Sequence, residues 1–116
     1  MLTSERVRLQ HIVDAAKRIV VITRGRTRRD IEDDLVLPYA LLALLQIIGE
    51  AAKHVSDEYQ ADHPEIDWTG MTGLRNRLAH AYFDVDYDLL YIVIQEDIPP
   101  LISTIENLLD QLRLDF

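Results

Sequence analysis

Cysteine is absent from the 116 residues, so neither a disulfide nor a thiolate-bound metal contributes to this fold. That usage suits a reducing compartment. Only four glycines and four prolines interrupt the chain, hydrophobic residues make up 48% of it, and no tract is of low complexity, which excludes disorder as the main state. No run approaches the roughly eighteen apolar residues of a membrane span. The opening Met1-Leu2-Thr3-Ser4-Glu5 lacks the basic and then apolar character of a secretory leader. These absences lead to the expectation of one soluble, cytoplasmic domain over residues 1–116.

Positive charge is also scarce, with 12 Lys and Arg against 20 Asp and Glu for a net −8, a balance that ordinarily disfavours nucleic-acid binding. Its distribution is uneven. Residues 1–29 hold eight of the bases and two acids, Glu5 and Asp14, leaving the remainder strongly acidic. The densest basic part is Arg24, Arg26, Arg28 and Arg29, broken by Gly25 and Thr27 in the manner of a loop. Such a cluster is either solvated surface or a set of contacts for RNA phosphates.

Sustained period-two alternation is missing too, whereas apolar residues recur at helical spacing, as in Leu9, Ile12, Val13, Ala16 and Ile19 and in Leu41, Leu44, Leu45, Ile48, Ala51 and Ala52. The class expected is all-α, with four principal helices in an up-and-down bundle and a short extra helix. Thr3 or Ser4 caps the first helix, Gly25 lies beyond its end, and Thr27 caps a short one with Asp30 in its first turn. Asp33 or Asp34 opens a long central helix that tolerates Pro38 in its first turn and runs to about Ser56. Residues 60–65 read as a loop around Pro64, after which Asp67 caps the next helix. A last helical region ends near Leu114, kinked or broken at Pro99-Pro100 with Asp97 capping the second piece.

Asp84, Asp86 and Asp88 have the spacing of the first calcium ligands of an EF-hand, but Leu89 and Gln95 stand where its glycine and bidentate acid belong. His11, His54 and His63 have no neighbour at metal-ligand spacing, so no metal is expected. Glu50 interrupts a small, apolar run, and a helix packed there would offer Arg75 or Arg77 as its structural partner. Gly49 admits a close backbone approach, and Trp68 reads as a core anchor.

The densest chemistry lies in Arg75-Asn76-Arg77-Leu78-Ala79-His80-Ala81-Tyr82. A guanidinium holds a phosphate through two parallel hydrogen bonds, and a histidine with an ordinary pKa of about 6.5 exchanges protons near neutrality. Phosphodiester cleavage without a metal requires both parts. As one helix the octet would instead be amphipathic, with Leu78 and Ala81 inward and its polar groups solvated. On an ideal helix Arg75 and His80 would stand about 140° apart, so a working site requires a bend or a second copy of the chain.

Arg75, Asn76 and His80, extended by Ala81-Tyr82, resemble the Arg-x4-His-x-Tyr motif of the HepT-like branch of the HEPN superfamily. Ile47–Ala52, His63–Trp68, His80–Phe83 and Asp97–Leu101 resemble that branch in the same order. The resemblance implies the toxin of a type VII-like toxin–antitoxin pair, a homodimeric, metal-independent endoribonuclease needing no cofactor. Arg75 and His80 would be catalytic, Asn76 their assistant, and Tyr82 the acceptor of AMP from a partner minimal nucleotidyltransferase. Arg77, Arg24, Arg26, Arg28 and Arg29 would contact RNA or nucleotide phosphates. The alternative is a non-catalytic binding subunit of a nucleotidyltransferase, using the same residues to hold a nucleotide.

Overall fold

The computed structural model describes residues 2–81 and 84–114. The first helix, α1, spans Leu2–Thr23 and buries Leu9, Ile12, Val13, Ala16 and Ile19, the stripe its spacing dictates. It begins ahead of Thr3 and Ser4, which lie inside its first turn rather than capping it. The Glu5 carboxylate turns inward and accepts the Ser56 N–H at 3.4 Å, tying the first turn of α1 to the chain just beyond the central helix. At the other end Thr23 donates its hydroxyl to the Ile19 carbonyl at 2.6 Å, and Gly25, at φ 74°, makes the left-handed turn that stops α1.

Helix α2, Arg28–Asp33, starts with a full capping box: the Thr27 hydroxyl accepts the Asp30 N–H, and the Asp30 carboxylate accepts the Thr27 N–H. Asp34 then reaches forward to accept the N–H groups of Val36 and Leu37 at 2.9 and 2.8 Å, opening α3, Leu37–Lys53, with Pro38 in its first turn. Those two backbone donors hold the Asp34 carboxyl below its usual pKa.

The central helix stops at Lys53, short of the expected Ser56, because that serine begins another helix. The Ser56 hydroxyl accepts the Tyr59 N–H and caps α4, Asp57–Asp62. Gln60 from α4 donates to the Ala52 and Val55 carbonyls at 3.1 and 3.0 Å, tying α4 to the end of α3. The expected loop over 60–65 is therefore helical through Asp62, and only 63–66 remain irregular before the α5 cap at Asp67.

Asp67 caps α5, Trp68–Leu78, by accepting the Gly70 N–H at 3.0 Å. Trp68 is buried beside that start and donates its indole N–H to the His63 carbonyl. Helix α5 lies against α3. A Cβ on Gly49 would sit 3.2 Å from the Met71 and Thr72 carbonyl oxygens, so glycine is what permits this approach. After Leu78 the chain turns extended: β1, Ala79–Ala81, pairs antiparallel with β2, Asp84–Val85, through an irregular register.

Asp86 caps α6, Tyr87–Ile92, which runs through a π-helical turn, Val93–Asp97, into α7, Ile98–Leu114. The expected break takes that form. The Ile98 N–H bonds to the Val93 carbonyl, five residues back, so the turn widens just before Pro99 and Pro100, with no capped restart at Asp97. Helix α1 packs on α3 and α7, and the core joins Ile12, Leu45, Ile48, Leu90, Ile98 and Ile105. Each such side chain contributes about 1.5–3 kcal/mol relative to exposure. The principal helices form the expected all-α bundle. No described helix is long and apolar enough to cross a membrane.

Candidate functional site

The octet does not lie on one helix. Arg75, Asn76 and Arg77 occupy the last turn of α5, whereas Ala79, His80 and Ala81 are extended, with Ala79 at φ −151° and ψ 125°. No glycine or proline ends the helix here. Instead the Arg75 carbonyl accepts the Ala79 N–H, while Arg75 Nη1 donates back to the Ala79 carbonyl at 3.2 Å. The same nitrogen lies 3.4 Å from Asn76 Oδ1. A second tie comes from β2, after which the Asp86 N–H donates to the Leu78 carbonyl at 2.8 Å.

These bonds satisfy carbonyls at the helix end and leave the next residue on a strand. Alternation then acts: Ala79 is buried and His80 is exposed. The 140° separation expected on a continuous helix therefore lapses, since the helix ends two residues before the imidazole. Half-buried Arg75 reaches Ala79, the residue next to His80, and exposed Asn76 contacts the same guanidinium. Tyr82 lies outside the described residues.

Arg77 faces another way. Its Nη2 donates to the Gly70 carbonyl at 3.2 Å, back along α5, at the rim of a cavity of about 350 Å³ between α5, the π turn and α7. Met71, Leu74 and Leu101 supply apolar wall; Glu96 and Asp97 share the rim. The cavity was not foreseen from sequence. Its only advance sign is the acidic pair just before the two prolines.

The basic cluster is largely neutralised within the fold. Arg26 pairs with Asp34 at 3.4 Å, Arg28 with Glu32 at 2.9 Å and also with Asp88, and Arg29 with Asp33 at 3.5 Å. Only Arg24 of the four has no acidic partner among the described residues. Arg28 and Arg29 also stand on α2 rather than in a loop. A phosphate reaching Arg26, Arg28 or Arg29 would exchange for a carboxylate in an exposed pair.

Glu50 does not meet Arg75 or Arg77. It is exposed on α3, accepts from Gln46 at 3.4 Å, and lies 3.8 Å from His54 Nε2. Neighbouring Gly49 is the residue that faces α5, and one helical step of 100° turns Glu50 away from it. The acids with calcium-like spacing serve other ends: Asp86 caps α6 and Asp88 binds Arg28. His63 stacks on Tyr59 with centroids 4.4 Å apart and approaches Glu65 at 3.2 Å. The Glu65 carboxyl is held below its ordinary pKa, first by a hydrogen bond from its own backbone and then by His63. Among the described residues no group of three or more His, Asp or Glu is placed to hold a metal ion.

Comparison with known proteins agrees with the motif. The profile of the family described as "Ribonuclease HepT-like" matches residues 12–108. A protein of Methanocaldococcus jannaschii, provisionally named an RNase, is 32% identical over 98 residues, 84% of this chain and 90% of its own. "Probable ribonuclease HepT" of Thermococcus cleftensis is 38% identical over 100 residues, 86% of this chain and 91% of its own. No solved structure gives a significant match. With a matched profile that takes in both α3 and the Arg75 to His80 junction, this chain belongs to the HepT-like ribonuclease family.

Proposed function

We propose that the chain is a metal-independent endoribonuclease, a single HepT-like domain acting as the toxin of a type VII-like toxin–antitoxin pair. One observation carries the reading: the Arg75 guanidinium at the end of α5 is clamped on the carbonyl of Ala79, the residue that precedes exposed His80. In the reaction the ribose 2′-oxygen bonds to phosphorus as it loses its proton. The bond from phosphorus to the 5′-oxygen breaks, and that oxygen takes a proton. A 2′,3′-cyclic phosphate and a 5′-hydroxyl remain. His80 serves one of these proton transfers, worth roughly 10²–10⁴ in rate. Arg75 stabilises the charge on the phosphoryl oxygens, and Asn76, in contact with its guanidinium, orients it.

In this reading two copies pair so that both junctions line one cleft, and the protein works in the cytoplasm, where its RNA lies. A partner minimal nucleotidyltransferase silences it by moving AMP to Tyr82, adding bulk and negative charge beside the motif. The test is incubation of purified, unmodified protein with a defined RNA in excess EDTA, beside His80→Ala, with product ends mapped. Cyclic phosphate ends that vanish in the variant support the reading. Intact RNA with an unmodified dimer, or cleavage that survives in His80→Ala, refutes it.

A further inference from the structure

The cavity beside α5 has a composition unsuited to the phosphate chain of RNA and suited to one of its bases. Its volume of about 350 Å³ lies at the lower end of small-ligand sites. Met71, Leu74 and Leu101 give it apolar walls against which a flat ring can lie. Four carboxylates line it: Asp67 is engaged by the Gly70 N–H and Glu65 lies beside His63, whereas the side chains of Glu96 and Asp97, set on the π turn, are exposed and make no hydrogen bond or ion pair with any described residue. Carboxylates so placed repel a phosphate and ask for N–H donors. Arg77 stands at the same rim, held along α5 by the Gly70 carbonyl, and asks for an acceptor.

We propose that this cavity is a guanine-selecting pocket for the RNA substrate, with Glu96 and Asp97 accepting from guanine N1–H and N2–H₂ and Arg77 donating to guanine O6 or N7. The inference rests on the proposed RNase reading and names its specificity. Guanine alone among the four bases offers two adjacent donors that one carboxylate can take together, flanked by acceptors of the kind arginine reads bidentately. Uracil and cytosine lack the paired donors, and adenine has the amine but no ring N–H beside it. The pocket and the candidate catalytic junction share α5, with Arg77 only two residues beyond Arg75. Arg77 faces the cavity and Arg75 the junction, so the two sites occupy different sides of one helix end.

The experiment uses short 2′-O-methyl RNA oligomers that differ only at one central base: guanine, hypoxanthine, adenine, cytosine or uracil. They lack the reacting hydroxyl, so affinity is read without cleavage. The guanine oligomer is expected to bind about tenfold more tightly than adenine, cytosine or uracil, within the roughly 5- to 150-fold that a well-made pair of base contacts is worth. Hypoxanthine, lacking only the N2 amine, should fall between. In the nearly isosteric Glu96→Gln/Asp97→Asn variant the preference should shrink to within about twofold; Leu74→Trp, which fills the cavity, should do the same. Equal binding of all five oligomers, no binding of any, or a guanine preference that survives both variants overturns the proposal. Guanine selection by a protein that cleaves nothing would instead refute the RNase reading and leave the pocket standing.

Discussion

The end of α5 and the start of α7 invert what their residues suggest. Around Leu78-Ala79-His80-Ala81 there is neither proline nor glycine, and alanine is the best helix former, yet the helix stops. Around Asp97-Ile98-Pro99-Pro100 there are two breakers, and the helix continues. In each place hydrogen-bond partners decide. At Ala79 the backbone has a hairpin to join and an arginine for its carbonyl, so leaving the helix abandons few bonds. At Pro99 a π turn has already shifted the ladder, so the missing donors and the ring are accommodated. Breaker residues thus mark where a helix can stop; partners fix where it does.

The sharpest way to break this contrast is at the extended half of the motif. His80→Ala is expected to lower RNA cleavage by about 10²–10⁴ while thermal unfolding stays within a degree or two, because the side chain is exposed. Single-turnover rates and a melting curve on the same preparation check this. A large loss of stability would mean that the imidazole holds the hairpin rather than acting on RNA.

Next in size is the anchor of the helix end. Leu78 is 1% exposed and stands where α5 becomes β1. Leu78→Ala should destabilise the fold by about 2–5 kcal/mol in denaturant titration, whereas Ala79→Gly, one residue on, removes a single buried methyl and should cost only about 1–2 kcal/mol. Equal costs would mean that Leu78 does not anchor the helix end in the core. Smaller again is Gly49→Ala, expected at about 1–3 kcal/mol because the added methyl meets two backbone carbonyls at 3.2 Å that can give way only by moving α5. Its cleavage rate should fall with stability, since α5 carries the arginine.

Much of this architecture was legible. The α1 and α3 stripes, the Thr27 cap, the Asp67 cap, the burial of Trp68 and the close approach at Gly49 all follow from local chemistry, and the order of motifs pointed to the family. Three features were not legible, for one reason. Helix α4 is held to the end of α3 by Gln60, which donates to the carbonyls of Ala52 and Val55, the arginines of 26–29 are neutralised partly by Asp88, sixty positions after Arg28, and Glu50 turns to His54 because Gly49 takes the α5 face. Each depends on which groups meet after folding. Residue type alone carries no trace of that.

Pro100→Ala gives the smallest expected effect and bears most directly on the contrast. If the π turn relieves the clash and the prolines sit in a conformation they favour, then their rigidity restrains the unfolded chain and removing one should destabilise by about 0.4–1 kcal/mol. If instead the prolines strain a helix that survives them, replacement restores a hydrogen bond and stabilises. The sign therefore decides, and chemical denaturation of matched samples reads it. The Thr104 hydroxyl donates to the Pro100 carbonyl at 3.0 Å, and a backbone carbonyl is kept in the alanine variant, so that bond does not confuse the sign. Destabilisation would place Pro100 among the residues that build this helix; stabilisation would mean that the π turn only tolerates it.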